Sequence, residues 1–376
     1  MEFTVSNSLF TTAVSDINKI ISSKSVIPIL SGIKIKANEN GLKLTGSNSD
    51  IFIERTIPLL ISGEKIVEIK EFGSVVVLSK YLNEIVKKLP NDISIKLGRN
   101  DSITIKSGDI ETKLNGFNAN DYPKLPEMDR NNKIEIPFGK LTEAIKQTAF
   151  AVSKSEAKPV LTGVKMEFKE NKLVCSATDS HRLARREVNI ECATTESFVV
   201  PSTSLSELTH LKVVDSSIVG ITYSENYIVF ETVTSALYSR LIEGVYPNIE
   251  SLVPTESKAT ITMNTQALIE GIDRACVFST EWKHNNVQLE LMDDVMIKIS
   301  SNSTEVGKIE ELQKIIHIEG QNDIQMSFDG RFVLDALKRI QVENVTIRFD
   351  GLMKPIVIQP LNDSTCLHLI SPVRSY

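Results

Sequence analysis

"IPILSGIKI", residues 27–35, returns as "KPVLTGVKM", residues 158–166. Pro28, Leu30 and Gly32 match Pro159, Leu161 and Gly163, each 131 positions further on. The same offset lays "LTGSNSD" (44–50) over "CSATDSH" (175–181). "NDYPKLP" (120–126) is echoed in "GVYPNIESLVP" (244–254), with Tyr122 and Pro123 matching Tyr246 and Pro247. A fainter third copy starts near residue 258, where "NNVQLEL" (285–291) and "ISSNSTE" (299–305) keep the order of "SGIKIKA" (31–37) and "LTGSNSD". Several echoes in one order indicate a triplication, and a repeat of this kind decides the fold before any local motif does.

Each copy opens on a short alternating strand, "EFTVS", "KIEIPF" or "ATITM", followed by an amphipathic helix. In the first copy Leu9, Ala13, Ile17, Ile20 and Ile21 recur at helical spacing, and in the second Leu141, Ile145, Ala149 and Val152 do. Alternating strands such as "GLKLTGSN" and "DIFIERTIPL" come next, then a second helix: "SKYLNEIVKKL", "SLSELTHL" and "GRFVLDALKRI". Further alternating strands close each copy. Two helices among many strands make an α+β fold of antiparallel sheets, divided into domains at 1–127, 128–254 and 255–376.

The composition of the 376 residues narrows the function classes. At 41% hydrophobic and 24% charged the chain reads as a globular protein. No apolar run reaches the roughly 20 residues that span a bilayer, and "MEFTVSNSLF" lacks a basic segment followed by an apolar one, so a cytoplasmic location is expected. Cys175, Cys192, Cys276 and Cys366 form no C-x-x-C pair, and the five histidines show no metal-ligand spacing, so neither disulfide nor metal is expected. Without a G-x-G-x-x-G or P-loop signature no cofactor is expected either. The net charge of −6 argues against nucleic-acid binding by bulk phosphate neutralisation.

"CSATDSHRLARR" (175–186) sets Asp179, Ser180 and His181 side by side. A hydrolase reading would have His181 activate Ser180. Against it, neighbours in an extended segment point to opposite faces, and no G-x-S-x-G elbow is present. A structural reading makes Asp179 and Ser180 a turn and Leu183 a core residue.

The threefold repeat, "ATDSHRLA", "EGVYPNIESLVP", "FDGRFVLDALK" and the C-terminal "LISPVRSY" together resemble the family of bacterial DNA polymerase III beta subunits, the DNA sliding clamps. The resemblance runs the whole length and implies the DNA clamp fold: a ring-forming, head-to-tail homodimer of three repeated domains per chain, encircling double-stranded DNA. It implies a processivity factor, not an enzyme. Its partners are the DNA polymerase III catalytic subunit, a clamp loader and other clamp-binding replication and repair proteins, with no membrane. A clamp-fold scaffold outside replication is the alternative, prompted by divergence around "STEWKHNN" (279–286), where Trp282 stands in the place of Pro28.

By the same resemblance a peptide-docking pocket is formed by Leu161, Thr178, His181, Arg182, Leu183, Pro247, Leu252, Leu369, Ile370, Ser371, Pro372, Val373 and Arg374. Ser371 replaces a methionine that gates the pocket in many relatives. DNA-facing positions are Lys24, Lys80, Lys87, Lys88, Lys146, Lys154, Lys158, Arg274 and Lys338, and the dimer interface sets Thr112 and Leu114 against Val277 and Phe278. Leu, Val and Pro provide a dry floor for a partner's aromatic or leucine anchors. A closed ring stays on DNA by topology, which reconciles an acidic chain with a DNA partner.

Overall fold

Alternation of apolar and polar residues gives each repeat its strands, and the loss of that alternation marks its two helices. The computed structural model describes residues 1–21, 26–128, 133–192, 194–211, 213, 217–254, 256–278, 286–293, 295–303, 307–320, 324–351 and 353–373. In the first repeat β1 (Glu2–Val5) leads into α1 (Asn7–Asn18), followed by the meander β2 (Gly32–Asn38), β3 (Gly41–Ser47) and β4 (Ile51–Ile57). The short strands β5 (Leu60–Ile61) and β6 (Glu64–Lys65) precede β7 (Val67–Glu71), β8 (Gly73–Leu78) and α2 (Ser79–Val86). A second meander, β9 (Ile93–Leu97), β10 (Ile103–Ser107) and β11 (Ile110–Leu114), ends with the two-residue β12 (Gly116–Phe117).

The second repeat runs β13 (Ile134–Pro137), α3 (Phe138–Thr148), β14 (Gly163–Lys169), β15 (Lys172–Thr178), β16 (Arg182–Asn189) and β17 (Glu196–Pro201). It continues with α4 (Ser202–Thr209), β18 (Ile218–Tyr223), β19 (Tyr227–Glu231) and β20 (Ser235–Arg240). The third runs β21 (Ala259–Asn264), α5 (Thr265–Val277), β22 (Asn286–Asp293), β23 (Met296–Ser303), β24 (Gly307–Lys314), β25 (His317–Gly320) and β26 (Gln325–Asp329). It closes with α6 (Gly330–Leu337), β27 (Asn344–Phe349), β28 (Ile356–Pro360) and β29 (Cys366–Ile370). The order strand, helix, meander, strand, helix, meander recurs three times.

Two helices are shorter than their apolar spacing predicts. α1 stops at Asn18, before Ile20 and Ile21. α3 stops at Thr148, whose hydroxyl donates to the Ala144 carbonyl at 2.7 Å, and a 3-10 turn takes over at Ala149–Ala151. A side chain that competes for the helical carbonyls in this way weakens the next turn.

The chain packs as two compact units, Met1–Gly139 with Thr203–Leu241, and Lys140–Ser202 with Ile242–Tyr376. The division cuts the central repeat because inter-repeat strand pairing is as continuous as pairing within a repeat. The first unit holds a nine-stranded sheet ordered β12-β8-β2-β3-β4-β20-β19-β18-β13 and a five-stranded sheet ordered β11-β10-β9-β1-β7. The second holds a nine-stranded sheet ordered β17-β14-β15-β16-β29-β28-β27-β21-β25 and a four-stranded sheet ordered β24-β23-β22-β26.

In the first unit Phe10, Val14 and Ile17 of α1 are fully buried. The helix sits so close to β3 that a Cβ on Gly46 would come within 2.2 Å of Ile17 Cγ2. In the second unit α5 and α6 bury Leu268, Ile272, Val333 and Leu337 against β22, β23 and β27.

Two strand pairs join one repeat to the next, antiparallel in both cases. β20 pairs with β4, setting Ser235 opposite Arg55, and β29 pairs with β16, setting Cys366 opposite Arg186. The registers coincide: Arg55 and Arg186 are 131 apart, and Ser235 and Cys366 each open their strand. An arginine crosses each junction. Arg55 reaches the Ser235 hydroxyl and pairs with the buried Asp16 of α1 at 3.0 Å, while Arg186 pairs with Asp363 at 2.7 Å and Glu143 at 3.0 Å. Among the described residues β11 and β24 each end a sheet, as do β7, β12, β13, β17, β25 and β26.

Candidate functional site

The stretch 178–183 is a turn followed by a strand. Asp179 Oδ1 accepts the backbone N–H groups of His181 at 2.9 Å and Arg182 at 3.0 Å, and Ser180 has φ 81°. The first repeat builds the same turn: Asn48 accepts from Asp50 and Ile51, and Ser49 has φ 86°. Asp179 therefore serves the backbone, and Ser180 sits at the tip of a turn, not in the extended segment its neighbours suggest. The Asp-Ser-His run is accounted for by turn geometry that the first repeat makes without a histidine.

Beyond the turn, period-two alternation sorts the side chains. Leu183 faces one side of the sheet, where it clusters with Leu161, Leu369, Val199, Tyr246, Ile249, Val357 and Leu367. Val160, Ile242 and Val253 pack on the same patch. Tyr246 is fixed beneath it, accepting from the Thr178 N–H at 3.2 Å and donating to the Ser176 carbonyl at 3.4 Å, and burial pushes its phenol well above the ordinary range. Pro247 is exposed and Leu252 is 45% exposed at the rim.

Of the expected lining residues, the cluster unites Leu161, Leu183 and Leu369. The cluster also holds Val199, Tyr246, Ile249, Val357 and Leu367, which the sequence reading did not place there. Leu367 was within reach, because it lies two residues before Leu369 and so shares its face. Ile370 turns to the opposite face and joins the core of the third repeat. The chain after β29 stays tied down: Ser371 N donates to His181 O at 2.9 Å, Pro372 bridges Phe328, and Val373 N donates to Ser327 O at 2.9 Å. Arg374, with Lys24 and Trp282, lies outside the described residues.

Arg182 also faces away from the Leu183 side. Its guanidinium, 7% exposed, donates to Asp179 Oδ2 at 3.0 Å, Asp335 Oδ2 at 2.6 Å and Phe150 O at 2.9 Å. It lies over the Phe332 ring at 4.5 Å, a cation–π distance. The exposed His181 ring stacks on that phenylalanine with 6.5 Å between centroids. On the same buried face His368 packs against Phe150, with Nε2 3.6 Å from Cys366 Sγ and no hydrogen-bond partner for Nδ1. Burial pushes its pKa down to about 4.

The expected DNA-facing cations are all exposed where described. Lys80 lies on α2, Lys87 and Lys88 at its C-terminal end, Lys146 on α3, and Lys338 at the end of α6. Lys154 and Lys158 lie on the segment between α3 and β14. Arg274 on α5 is held by Glu311, with hydrogen bonds of 2.8 and 2.7 Å. Thr112 and Leu114 are half-buried on the edge strand β11, and Val277 is 71% exposed at the end of α5 beside Phe278. Among the described residues no cluster of His, Cys, Asp and Glu could hold a metal ion.

Comparison with known proteins agrees with the repeat architecture. Family models for the DNA polymerase III beta subunit match in three consecutive pieces: the N-terminal domain on residues 1–126, the central domain on 135–248 and the C-terminal domain on 250–374. The beta sliding clamp of Bacillus subtilis (strain 168) is 40% identical over 379 residues, covering all of both chains. That of Halalkalibacterium halodurans is 38% identical over 381 residues, again at full coverage of both. Among solved structures, the DNA polymerase sliding clamp from Bacillus subtilis superposes with a TM-score of 0.97 at 39% identity, covering the whole of each chain. The beta subunit from Streptococcus pyogenes gives 0.94 at 32%, also over the whole of each. With the repeats, the fold and full-length relatives in agreement, the chain belongs to the DNA polymerase III beta subunit family.

Proposed function

We propose that two copies of this chain close head to tail into a ring around double-stranded DNA, and that the ring acts as a processivity factor for the replicative polymerase. The observation that carries this reading is the pair of sheet edges β11 and β24. β11 occupies in its repeat the place that β20 and β29 occupy in theirs, and β24 occupies the place of β4 and β16. Two of the three equivalent junctions are closed within the chain, which leaves one donor edge and one acceptor edge for a second copy. Pairing them removes two open sheet edges, each otherwise an association hazard, and does so by a closed heterologous contact.

The internal junctions also give the register. Ile110 opens β11 as Ser235 and Cys366 open their strands, and Glu311 stands opposite Ile299 as Arg55 stands opposite Leu44 and Arg186 opposite Cys175. Ile110 of one chain would thus face Glu311 of the other, Thr112 would face Ile309, and Leu114 would face Gly307. Thr112, Leu114, Val277 and Phe278 serve this contact.

Three repeat domains per chain, 1–127, 128–254 and 255–376, supply the helices, and the segment between α3 and β14, whose exposed Lys80, Lys87, Lys88, Lys146, Lys154, Lys158, Arg274 and Lys338 face the duplex. Such contacts go to phosphates, independent of sequence. Retention is topological, so the net charge of −6 is no obstacle. The ring has no catalytic role of its own, and a clamp-loading ATPase opens it.

The apolar patch around Leu161, Leu183 and Leu369 is the docking site for short peptides of the polymerase and other partners. The His181 and Arg182 turn, Thr178, Pro247, Leu252 and residues 371–373 frame it. Its support is the contiguous cluster of apolar side chains held over a fixed tyrosine, with the exposed Pro247 and Leu252 at its edge. Among the described residues no helix is long and apolar enough to cross a membrane, consistent with work on DNA in the cytoplasm.

The ring is tested by loading the protein with a clamp loader onto nicked circular plasmid and then linearising the DNA. The protein is expected to slide off the free ends. Unchanged retention on the linear molecule would refute topological binding.

A further inference from the structure

Arg182 is built into the docking wall, yet its side chain is committed elsewhere. The guanidinium is 7% exposed and meets three acceptors and two aromatic rings on the face of the sheet opposite Leu183. Those partners belong to three different elements. Asp179 is in the turn, Phe150 is in the 3-10 turn after α3, and Asp335 and Phe332 are on α6. A charge-assisted bond as short as the 2.6 Å contact to Asp335 fixes position as well as charge.

Phe150 begins the segment that carries Lys154 and Lys158. Eleven residues after it comes Leu161, in the apolar patch. That segment is held at a second point: Ser153 N donates to Leu161 O at 2.8 Å. Between the two anchors it is bonded to itself, Ser155 N donating to Ser153 Oγ and Ala157 N to Ser155 Oγ. One end of the basic loop is therefore pinned to the docking wall through Arg182, and the other to the docking floor through Leu161.

We infer that Arg182 is a positioning residue that ties the docking wall to helix α6 and to the loop bearing Lys154 and Lys158, so that a peptide seated on Leu161 and Leu183 also orders that loop. This rests on the docking reading given above. The arrangement differs from a ligand contact, in which a free guanidinium would meet the peptide. Here every donor group with an assigned partner points at the protein's own acceptors, and the rings of Phe332 and Phe150, 4.5 and 5.5 Å away, enclose the cation.

The test separates the two roles with Asp335→Asn, which alters the tie from α6 and touches no residue of the apolar patch. Affinity for a synthetic Gln- and Leu-rich peptide is read by fluorescence anisotropy on the full-length protein. Hydrogen exchange of residues 150–161 is followed with and without saturating peptide. Arg182→Gln is expected to weaken the peptide about tenfold and Asp335→Asn about three- to tenfold, in line with the loss of a charged hydrogen bond. The double variant should be no weaker than Arg182→Gln alone. In the wild type, peptide slows exchange at 153–158, and in Arg182→Gln saturating peptide leaves that exchange unchanged while it still protects the strand around Leu183. A general loss of stability would not produce that split.

If Asp335→Asn binds like the wild type while Arg182→Gln does not, Arg182 contacts the ligand and the tie is wrong. Equal peptide protection of 153–158 in wild type and Arg182→Gln would also overturn it. Should the wild type bind no such peptide, the docking reading itself fails. The tie is then still judged by whether Arg182→Gln speeds exchange at 150–158 in the free protein, and unchanged exchange would refute it.

Discussion

The two internal junctions of this chain share one register but carry different surfaces. At the first, Phe52, Tyr238, Val229 and Ala236 form a patch that Leu125 and Met128 cover. Leu30, Val76, Ala119 and Tyr122 form a separate cluster. At the second, the equivalent positions are Leu183, Leu369, Val357 and Leu367, and they merge with Leu161, Val199 and Tyr246 into one continuous patch. Two aromatic side chains fill the first junction where two leucines fill the second: Phe52 and Tyr238 are 6% and 8% exposed, Leu183 and Leu369 2% and 5%. On the docking reading proposed above, a change of side-chain volume at these few places is what confines the docking surface to one of the repeats.

The largest effect is expected from a charge placed in the apolar patch of the second junction. Leu183→Asp should weaken a Gln- and Leu-rich peptide by about 100-fold or more, because a carboxylate at an apolar contact has no partner. Anisotropy titration measures it, with a thermal melt to show that the variant is folded. Phe52→Asp at the first junction should destabilise the first unit and leave peptide affinity unchanged. Equal outcomes at the two sites would remove the distinction between them.

The arginines that cross the junctions differ in burial. Asp16 and Arg55 are 3% and 8% exposed, so Asp16→Ala leaves a buried guanidinium without its carboxylate and should cost about 3 kcal/mol in urea unfolding. Glu143→Ala removes one half-exposed partner of Arg186, which keeps Asp363, and should cost less than about 1 kcal/mol. Similar losses at both would mean that burial does not separate them.

His368 occupies the position held by Leu237 at the first junction, one across from Ala184 and the other across from Ile53. Its folded pKa of about 4 lies below that of an unfolded histidine, about 6.5, so the native state resists protonation. Stability from this site is complete above pH 6.5 and is lost as pH falls towards 4, because the unfolded chain binds the proton first. The wild type should lose about 2 kcal/mol between pH 6.5 and pH 5 beyond any loss in His368→Leu. Parallel curves for the two proteins would show that His368 is not the titrating group.

The smallest expected effect is a gain. Phe52→Leu with Tyr238→Leu gives the first junction the leucines of the second and should add a second, weaker peptide site per chain, seen as a change in calorimetric stoichiometry from one towards two. A stoichiometry that stays at one would show that more than these two rings sets the junctions apart.

Much of this was legible before any coordinates. The echo of Pro28, Leu30 and Gly32 in Pro159, Leu161 and Gly163 defined the repeat, and alternation located the strands. Side-chain direction at the site was harder to read. Arg182 and Leu183 are adjacent in sequence, and only the pairing of β16 with β29 shows that they serve opposite faces. The tie from Arg182 to Asp335 spans 153 residues and leaves no local signature. The early end of α3 follows from a single hydroxyl, Thr148, competing for helical carbonyls, which apolar spacing does not register. Register makes Phe52 the counterpart of Leu183 and Tyr238 that of Leu369.

The central claim is that a second copy supplies the third junction in the register of the other two. Thr112→Cys combined with Ile309→Cys in one chain tests it, since directly opposed residues on paired strands bring their Cβ atoms within about 5.5 Å, close to disulfide range. Mild oxidation is expected to give a covalent dimer resistant to SDS that returns to monomer on reduction, while either single variant stays monomeric. A cross-link that forms instead between Thr112→Cys and Glu311→Cys, or no cross-link at either pair, would contradict the account.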